Sequence, residues 1–441
     1  MVMFWRGTAS HDLILGKITD SIFRAFPPRL SQVNFCADMG SGMDLLSNHS
    51  LSVGNMIKPL GRTITSVGIC FLLGFAPTGH ATPVCGDWEL WKTYQQRFIQ
   101  DDGRVIDFQG EQNFTTSEGQ SYSLFFSLIA NDREHFDTLL NWTRYNLAGG
   151  DMTARLPAWH WGKRDDGTWG ILDSNPASDS NMWIAYTLLQ AGKLWQEARY
   201  TAAGMDLLAL IKKEEIVDLP GLGPMILPAS KGFVLEGKRW RINPSYLPIH
   251  MLRAFAAADK AGPWAKIADN TIALLRASSP HGFTPDWVVY QAGKGWVPDT
   301  ERGPIGSYDA IRVYLWAGML HDADPAKPQV LSIVSGMHRH VAKSNLPPPE
   351  KVNTQTGKTE GLGPPGFSAA LLPYLQALKD TQTLEQQKQQ LKGVGTAAYT
   401  GQEPKYYDQV LTLFGLGGLE GRFQFDATGQ LIPNWKSSCS S

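Results

Sequence analysis

From residue 82 onward, apolar positions recur at three- and four-residue intervals, with little of the strict alternation that marks strands. Glycine, proline and aspartate break this pattern into about twelve segments. The helices it predicts span approximately 86–100, 118–130, 133–147, 180–196, 199–215, 246–260, 263–278, 308–321, 327–342, 366–379, 382–393 and 404–418. NDREHF joins the second to the third and LWQEARY the fourth to the fifth; joins this short make antiparallel neighbours. Every second segment is the apolar or aromatic one, as in SYSLFFSLIA, MWIAYTLLQA and YDAIRVYLWAGML. The segments between carry the charge, as in TLEQQKQQLK. Alternation of a buried with a solvated helix predicts an all-α fold, an (α/α)6 barrel of about six helical hairpins with the apolar set inside. A solenoid or an irregular bundle fits the same string.

In a ring of antiparallel hairpins the inner helices run the same way, so their N-termini open on one face. The residues at those starts include Ser117 and Glu118, Ser178 and Asp179, Asn243 to Tyr246, Ser307 to Asp309, Pro365 to Phe367, and Tyr406 to Asp408. Glu118, Asp179, Asp309 and Asp408 are therefore the candidate acids of one floor. Two separated carboxyls suit glycoside hydrolysis, in which one protonates the leaving oxygen and the other handles water or the sugar carbon. Arg312 follows Asp309 by three residues, on the same helical face, and a guanidinium there favours an ionised base; an ordinary surface ion pair has the same spacing. The chain holds fifteen tryptophans, several of them in connections. LPAWHWGKRDDGTWGILDSN supplies Trp159, Trp161 and Trp169, flat apolar faces that suit a sugar ring, although loop tryptophans also close barrel ends.

Within TTSEGQSY, Ser117 and Gln120 have the spacing of a capping box, which makes Glu118 a first-turn acid. Gly119 is out of place, since glycine in a helix costs about 1 kcal/mol relative to alanine. The expectation is that something approaches the backbone closely there.

The net charge of −1 over 441 residues argues against a nucleic-acid partner or an acidic tail. Between Met56 and Ala81 lie a basic start, an apolar stretch from Ile64 to Phe75 and a small-x-small ending, the layout of a secretory signal peptide. The apolar stretch is too short to cross a bilayer comfortably. The expected organisation is an extension over 1–55 that is non-native or removed, a signal over 56–81 cleaved near Ala81, and a single catalytic domain over 82–441. Such a chain is periplasmic or secreted, with no membrane insertion after cleavage. Cys85 and Cys439, near the two ends of that domain, are a candidate disulfide in an oxidising compartment. No GxSxG, P-loop or HExxH motif occurs, and His338 and His340 fall on different helical faces, so neither a cofactor nor a metal is expected.

TTSEGQSY, ASDSNMWIAYTLLQAGKLW and SYDAIRVYLW resemble the three motif regions of glycoside hydrolase family 8. NWTRYNLAGG, LPAWHWGK, DSNPASD, NPSYLP, PDWV, GFSAALLPYL and VLTLFG extend the resemblance from about Cys85 to Cys439. The resemblance implies an (α/α)6 barrel and an endo-β-1,4-glucanase that cuts internal bonds of cellulose with inversion, in support of bacterial cellulose biosynthesis. It implies β-1,4-glucan chains as partner and a functional link to a cellulose synthase complex. It also implies Glu118 as general acid, Asp309 as general base, Asp179 as an acid that holds the sugar at the cleavage point, and Tyr246, Tyr308 and Arg312 near the catalytic subsites. One departure stands out: the family's ASDGD-like stretch reads ASDSN, with Asn181 in place of the second acid, and altered binding is expected there. Xylan, chitosan or mixed-linkage glucan as substrate, or a glucan-binding assembly protein with little turnover, are the alternatives. On the hydrolytic reading, the reason expected for Gly119 is that a side chain beside Glu118 would crowd the glucan.

Overall fold

A computed structural model of the chain describes residues 87–108, 113–391 and 405–437. Residues 1–55, the signal-like segment and all four cysteines lie outside the described residues. The helices are α1 (Glu89–Phe98), α2 (Ser117–Ile129), α3 (Arg133–Leu147), α4 (Ser178–Trp195), α5 (Ala198–Glu214), α6 (Ile249–Ala258), α7 (Trp264–Ser278), α8 (Ile311–Met319), α9 (Ala326–Ile333), α10 (Ser335–Ser344), α11 (Pro365–Ala377), α12 (Thr381–Gln389), α13 (Tyr406–Leu419) and α14 (Asn434–Ser437). Each of the twelve expected segments is present, and one is cut in two. The stretch 327–342 breaks at Val334, whose carbonyl accepts from the Tyr374 hydroxyl at 3.0 Å, while Gly336 N–H leaves the helix to bond Gly282 O at 2.9 Å. Two tertiary partners outbid one turn of helix.

The apolar helices α2, α4, α6, α8, α11 and α13 form the inner ring. Aromatic contacts run round it: Tyr122 and Phe125 of α2 meet Trp183 of α4, Trp183 meets His250 of α6, and His250 meets Trp316 of α8. Between α8, α11 and α13 the backbones touch. A side chain at Gly318 would collide with the Tyr374 backbone, and one at Gly415 with the Ala369 carbonyl. That carbonyl is available because Pro373, inside α11, lacks the N–H that would bond it. Phe414 of α13 then packs on Phe126 of α2, with centroids 4.6 Å apart, and closes the ring. The outer layer is α1 against α13, α3 against α2, α5 against α4, α7 against α6, α9 against α8, and α12 against α11.

The connections hold what the period did not reveal: among the described residues, five small antiparallel sheets built from strands of two to eight residues. In the longest pair Ala158–Lys163 runs beside Trp169–Pro176 and also pairs with Thr115 and Thr116, just before α2. Another hairpin, Phe423–Phe425 with Leu431–Pro433, follows the C-terminal end of α13 and packs inside the ring. Phe425 stacks on His250 at 4.1 Å, and the Tyr186 hydroxyl donates to Gly429 O at 2.8 Å.

Candidate active site

The start of α2 sets the first carboxylate, though not by the expected capping box. Thr116 is the N-cap, its hydroxyl accepting Gly119 N–H at 3.1 Å. Ser117 is instead drawn to Ser180 of α4, with hydroxyl oxygens 2.6 Å apart. Gln120 turns away from the helix end: its Oε1 accepts Val105 N–H at 2.7 Å, and its Nε2 donates to Gly103 O and Thr143 Oγ1. A Cβ at Gly119 would sit 3.3 Å from the Tyr406 hydroxyl, a tight approach, and at ordinary contact distance, 3.5 Å, from Val105.

Five of the six inner-helix starts line one cavity: Ser117 and Glu118 from α2, Asp179 from α4, Tyr246 before α6, Tyr308, Asp309 and Arg312 at α8, and Tyr406 and Tyr407 from α13. The sixth start, at α11, supports it through Phe367, edge-on to Tyr308 at 5.0 Å. Trp159 also lines the cavity, stacked on His160 at 4.6 Å. A second hollow, sharing Trp159, Ala177 and Tyr246, continues the groove toward Phe233 and Trp287.

Arg312 joins these parts. Its side chain is only 4% exposed. Nη1 donates to Glu118 Oε1 at 2.9 Å and to the Tyr407 hydroxyl at 3.2 Å. Nη2 donates to Asp309 Oδ1 and to Ser245 Oγ, both at 3.0 Å. Ser245 in turn donates to Asn243 Oδ1 at 2.8 Å, and Tyr407 donates to Tyr308 O at 2.6 Å. Glu118 and Asp309 are thus held on different nitrogens of one guanidinium, apart from each other, and Glu118 keeps 27% of its side chain exposed.

Among the described residues lining the cavity, Arg312 is the one base against Asp107, Glu118, Asp179 and Asp309. This imbalance and the lack of water act on the two buried acids. Burial raises Asp179 to about 8, with the charges of Glu118 and Asp309 adding and Arg312 opposing. Burial also raises Asp309, against Arg312, with Asp286 and Glu118 adding to the rise. Arg312 acts in the direction expected, toward an ionised Asp309, but removal from water outweighs this one cation.

Other expected residues take different places. Asp408 accepts Gly366 N–H at 3.1 Å and anchors the start of α11 without lining the cavity. Asn181 is fully buried and donates to Glu215 Oε1 at 2.8 Å, so the departure in ASDSN does not touch the cavity wall. Trp161 also lies off that wall, stacked on Trp169 with the Arg104 guanidinium 4.6 Å from each ring. The sequence placed Tyr407 at a helix start without singling it out as a site residue, and Asp286 entered only within PDWV, as part of the family resemblance. No group of three or more His, Cys, Asp or Glu among the described residues is placed to hold a metal ion. No helix among them is long and apolar enough to cross a membrane.

A barrel with paired acids at its helix starts can be set against known proteins. The curated relatives include an endoglucanase of Xanthomonas axonopodis pv. citri (strain 306), 48% identical over 373 residues, covering 85% of this chain and 96% of that protein. They also include an endoglucanase of Escherichia coli (strain K12), 46% identical, covering 80% of this chain and 93% of that protein. Among solved structures, an endo-1,4-D-glucanase from Vibrio fischeri ES114 superposes with a TM-score of 0.75 at 42% identity, over 80% of this chain and all of that one. The family model for Glycosyl hydrolases family 8 matches residues 70–420, and with these relatives nearly half identical over most of both chains, this chain belongs to that family.

Proposed function

We propose that this chain is an endo-β-1,4-glucanase that hydrolyses internal bonds of β-1,4-glucan with inversion, Glu118 acting as general acid and Asp309 as general base. The observation that carries the reading is the pair of carboxyls held apart on the two terminal nitrogens of Arg312, in a groove with aromatic walls. Inversion requires roughly 6.5–9.5 Å between the two carboxyls, room for a water, where retention requires roughly 5–5.5 Å; binding to separate nitrogens of Arg312 is compatible with the wider spacing. The endoglucanase relatives support the reaction class.

In the reaction, Glu118 gives its proton to the glycosidic oxygen as the bond to the anomeric carbon breaks. Asp309 takes a proton from a water that attacks that carbon from the opposite face. Asp179, neutral at moderate pH through burial, offers a hydroxyl donor and a carbonyl acceptor to the sugar at the cleavage point. Trp159, Tyr246 and Tyr308 supply the walls against which sugar rings pack. The base must be ionised, so activity falls as the pH drops through the raised value of Asp309.

Glu118→Gln and Asp309→Asn should each lower reducing-sugar release from carboxymethylcellulose by at least about 10²-fold with folding unchanged, the scale of a lost proton-transfer group. Proton NMR of the first product should show the α-anomer. Near-normal turnover in either variant, or a β-product, would overturn the assignment. We propose further, from the pattern at Met56 to Ala81, that the chain is exported, cleaved near Ala81 and active in the periplasm or outside the cell, where it trims glucan made by a cellulose synthase complex.

A further inference from the structure

Asp286 is not part of the cavity wall, yet it is bonded to the turn that carries Asp309. Its Oδ1 accepts the N–H groups of Ser307 and Ala310, each at 2.8 Å, and the N–H of Asp309 is directed at the same carboxylate. Its own N–H donates to Ile305 O at 2.8 Å. One residue further on, Gly306 lies so close to the Thr284 carbonyl that no side chain would fit between them. The segment 284–286 is in this way fastened along 305–310. The 307–310 turn runs straight into α8: the N–H groups of Ile311, Arg312 and Val313 bond to the carbonyls of Ser307, Asp309 and Ala310, so the donors left over at this helix end are those of the turn itself. Asp286, from a different loop, accepts them.

We propose that Asp286 is a positioning residue of the hydrolytic site, aiming Asp309 through the 307–310 turn and placing a second negative charge behind it. The proposal rests on the reading of Asp309 as the base. Several groups face Asp309: Arg312 from α8, Glu118 from α2, Asp179 from α4, the hydroxyls of Tyr246 and Tyr407, and Asp286. Both tyrosines are pushed up by burial and stay neutral. Burial raises Asp286 itself to about 6, with the N–H bonds and Arg312 opposing, so above that pH it is an anion. Asp286 is the one acid of this group that lies off the cavity wall, and changing it removes no contact with a sugar.

Two variants separate geometry from charge. Asp286→Asn keeps an oxygen that can accept the same N–H groups and loses the charge. The acidic limb of its kcat/KM profile should therefore move to lower pH, on the order of half a unit, because a base with fewer anions around it ionises earlier. Asp286→Ala loses the acceptor as well. Its kcat should fall on the order of tenfold or more with KM little changed, the mark of a misaligned reacting group. An Asp286→Asn profile that overlays the wild type, or a folded Asp286→Ala with wild-type kcat, would overturn the proposal; if Asp286→Ala does not fold, the Asn profile alone decides. Asp309→Asn keeps the two failures distinct. Turnover in that variant would refute the base assignment itself, whereas an inactive Asp309→Asn beside an unshifted Asp286→Asn would refute only the role of Asp286.

Discussion

Asp179 shows how much one buried acid can contribute at the residue scale. In an unfolded chain it titrates near 3.8, and in the fold near 8, so between those values the folded protein holds a proton that the unfolded chain has released. Stability linked to this residue is present in full below about pH 4 and is lost as pH rises toward 8, by up to about 1.4 kcal/mol per pH unit. Asp179→Asn has no such titration. Urea unfolding between pH 5 and 8 should give a flatter dependence for the variant than for the wild type; parallel curves would mean that Asp179 is ionised in the fold. Glu215 follows the same logic further from the groove. Burial raises it well above its ordinary value, its Oε1 accepts from Asn181, and its Oε2 and Asn181 Oδ1 have no partner in the fold. A protonated Glu215 could satisfy both orphans, because a carboxylic acid and a carboxamide are complementary in donors and acceptors. Asn181 thus looks matched to a buried acid and not to the substrate.

At the element scale, helices were legible wherever one face meets the core, because a burial stripe leaves a period in the chain. The inner helices are buried nearly all round, so their signal was continuous apolarity, and their length told them apart from strands. The break at Val334 was not legible, since it depends on Tyr374 and Gly282, both far away in sequence. The short strands were missed for a related reason: two to eight residues in a connection carry too few alternations to stand out. The capping box was misread by one residue because Thr116 and Ser117 can both cap, and Ser180 decides between them. The C-terminal hairpin is an element whose work can be measured. Phe425 is buried and touches His250, Phe125 and Tyr186. Phe425→Ala should lower unfolding free energy by about 3–5 kcal/mol, the usual range for a deleted core aromatic. Because no residue of the hairpin lines the cavity that holds the carboxyls, activity at low temperature should persist. A small loss in denaturant midpoint, or a loss of activity without one, would contradict its role as a plug.

On the scale of the whole molecule, the closed ring is what turns sequence-distant acids into one site. Glu118 and Arg312 are 194 residues apart and within 2.9 Å. The groove lies at the helix starts, where free N–H groups and the positive ends of the dipoles face the cavity. The proposed export belongs to this scale too. The intact mass of the chain recovered from the periplasm or medium of a bacterial host should correspond to a start near Thr82. A chain that keeps residues 56–81 and stays in the cytosol would refute the signal-peptide reading. Cys85 would then lie close to the new N-terminus, and peptide mapping of the same sample reports whether it is joined to Cys439.

By itself the sequence determined the helical period, the alternation of buried and solvated helices, the kinds of chemistry available at the helix starts, and the family. These depend on local composition and on which face of each helix avoids water. The tertiary structure alone decided which acids share the cavity, which are diverted to backbone or core partners, and which direction their proton affinities shift. Asp408 and Asp309 have the same side chain at equivalent helix starts, yet one caps α11 and the other is bonded to Arg312. The reason is that proton affinity and reach are set through space, by burial and by charges a few ångströms away, and those neighbours are scattered along the chain.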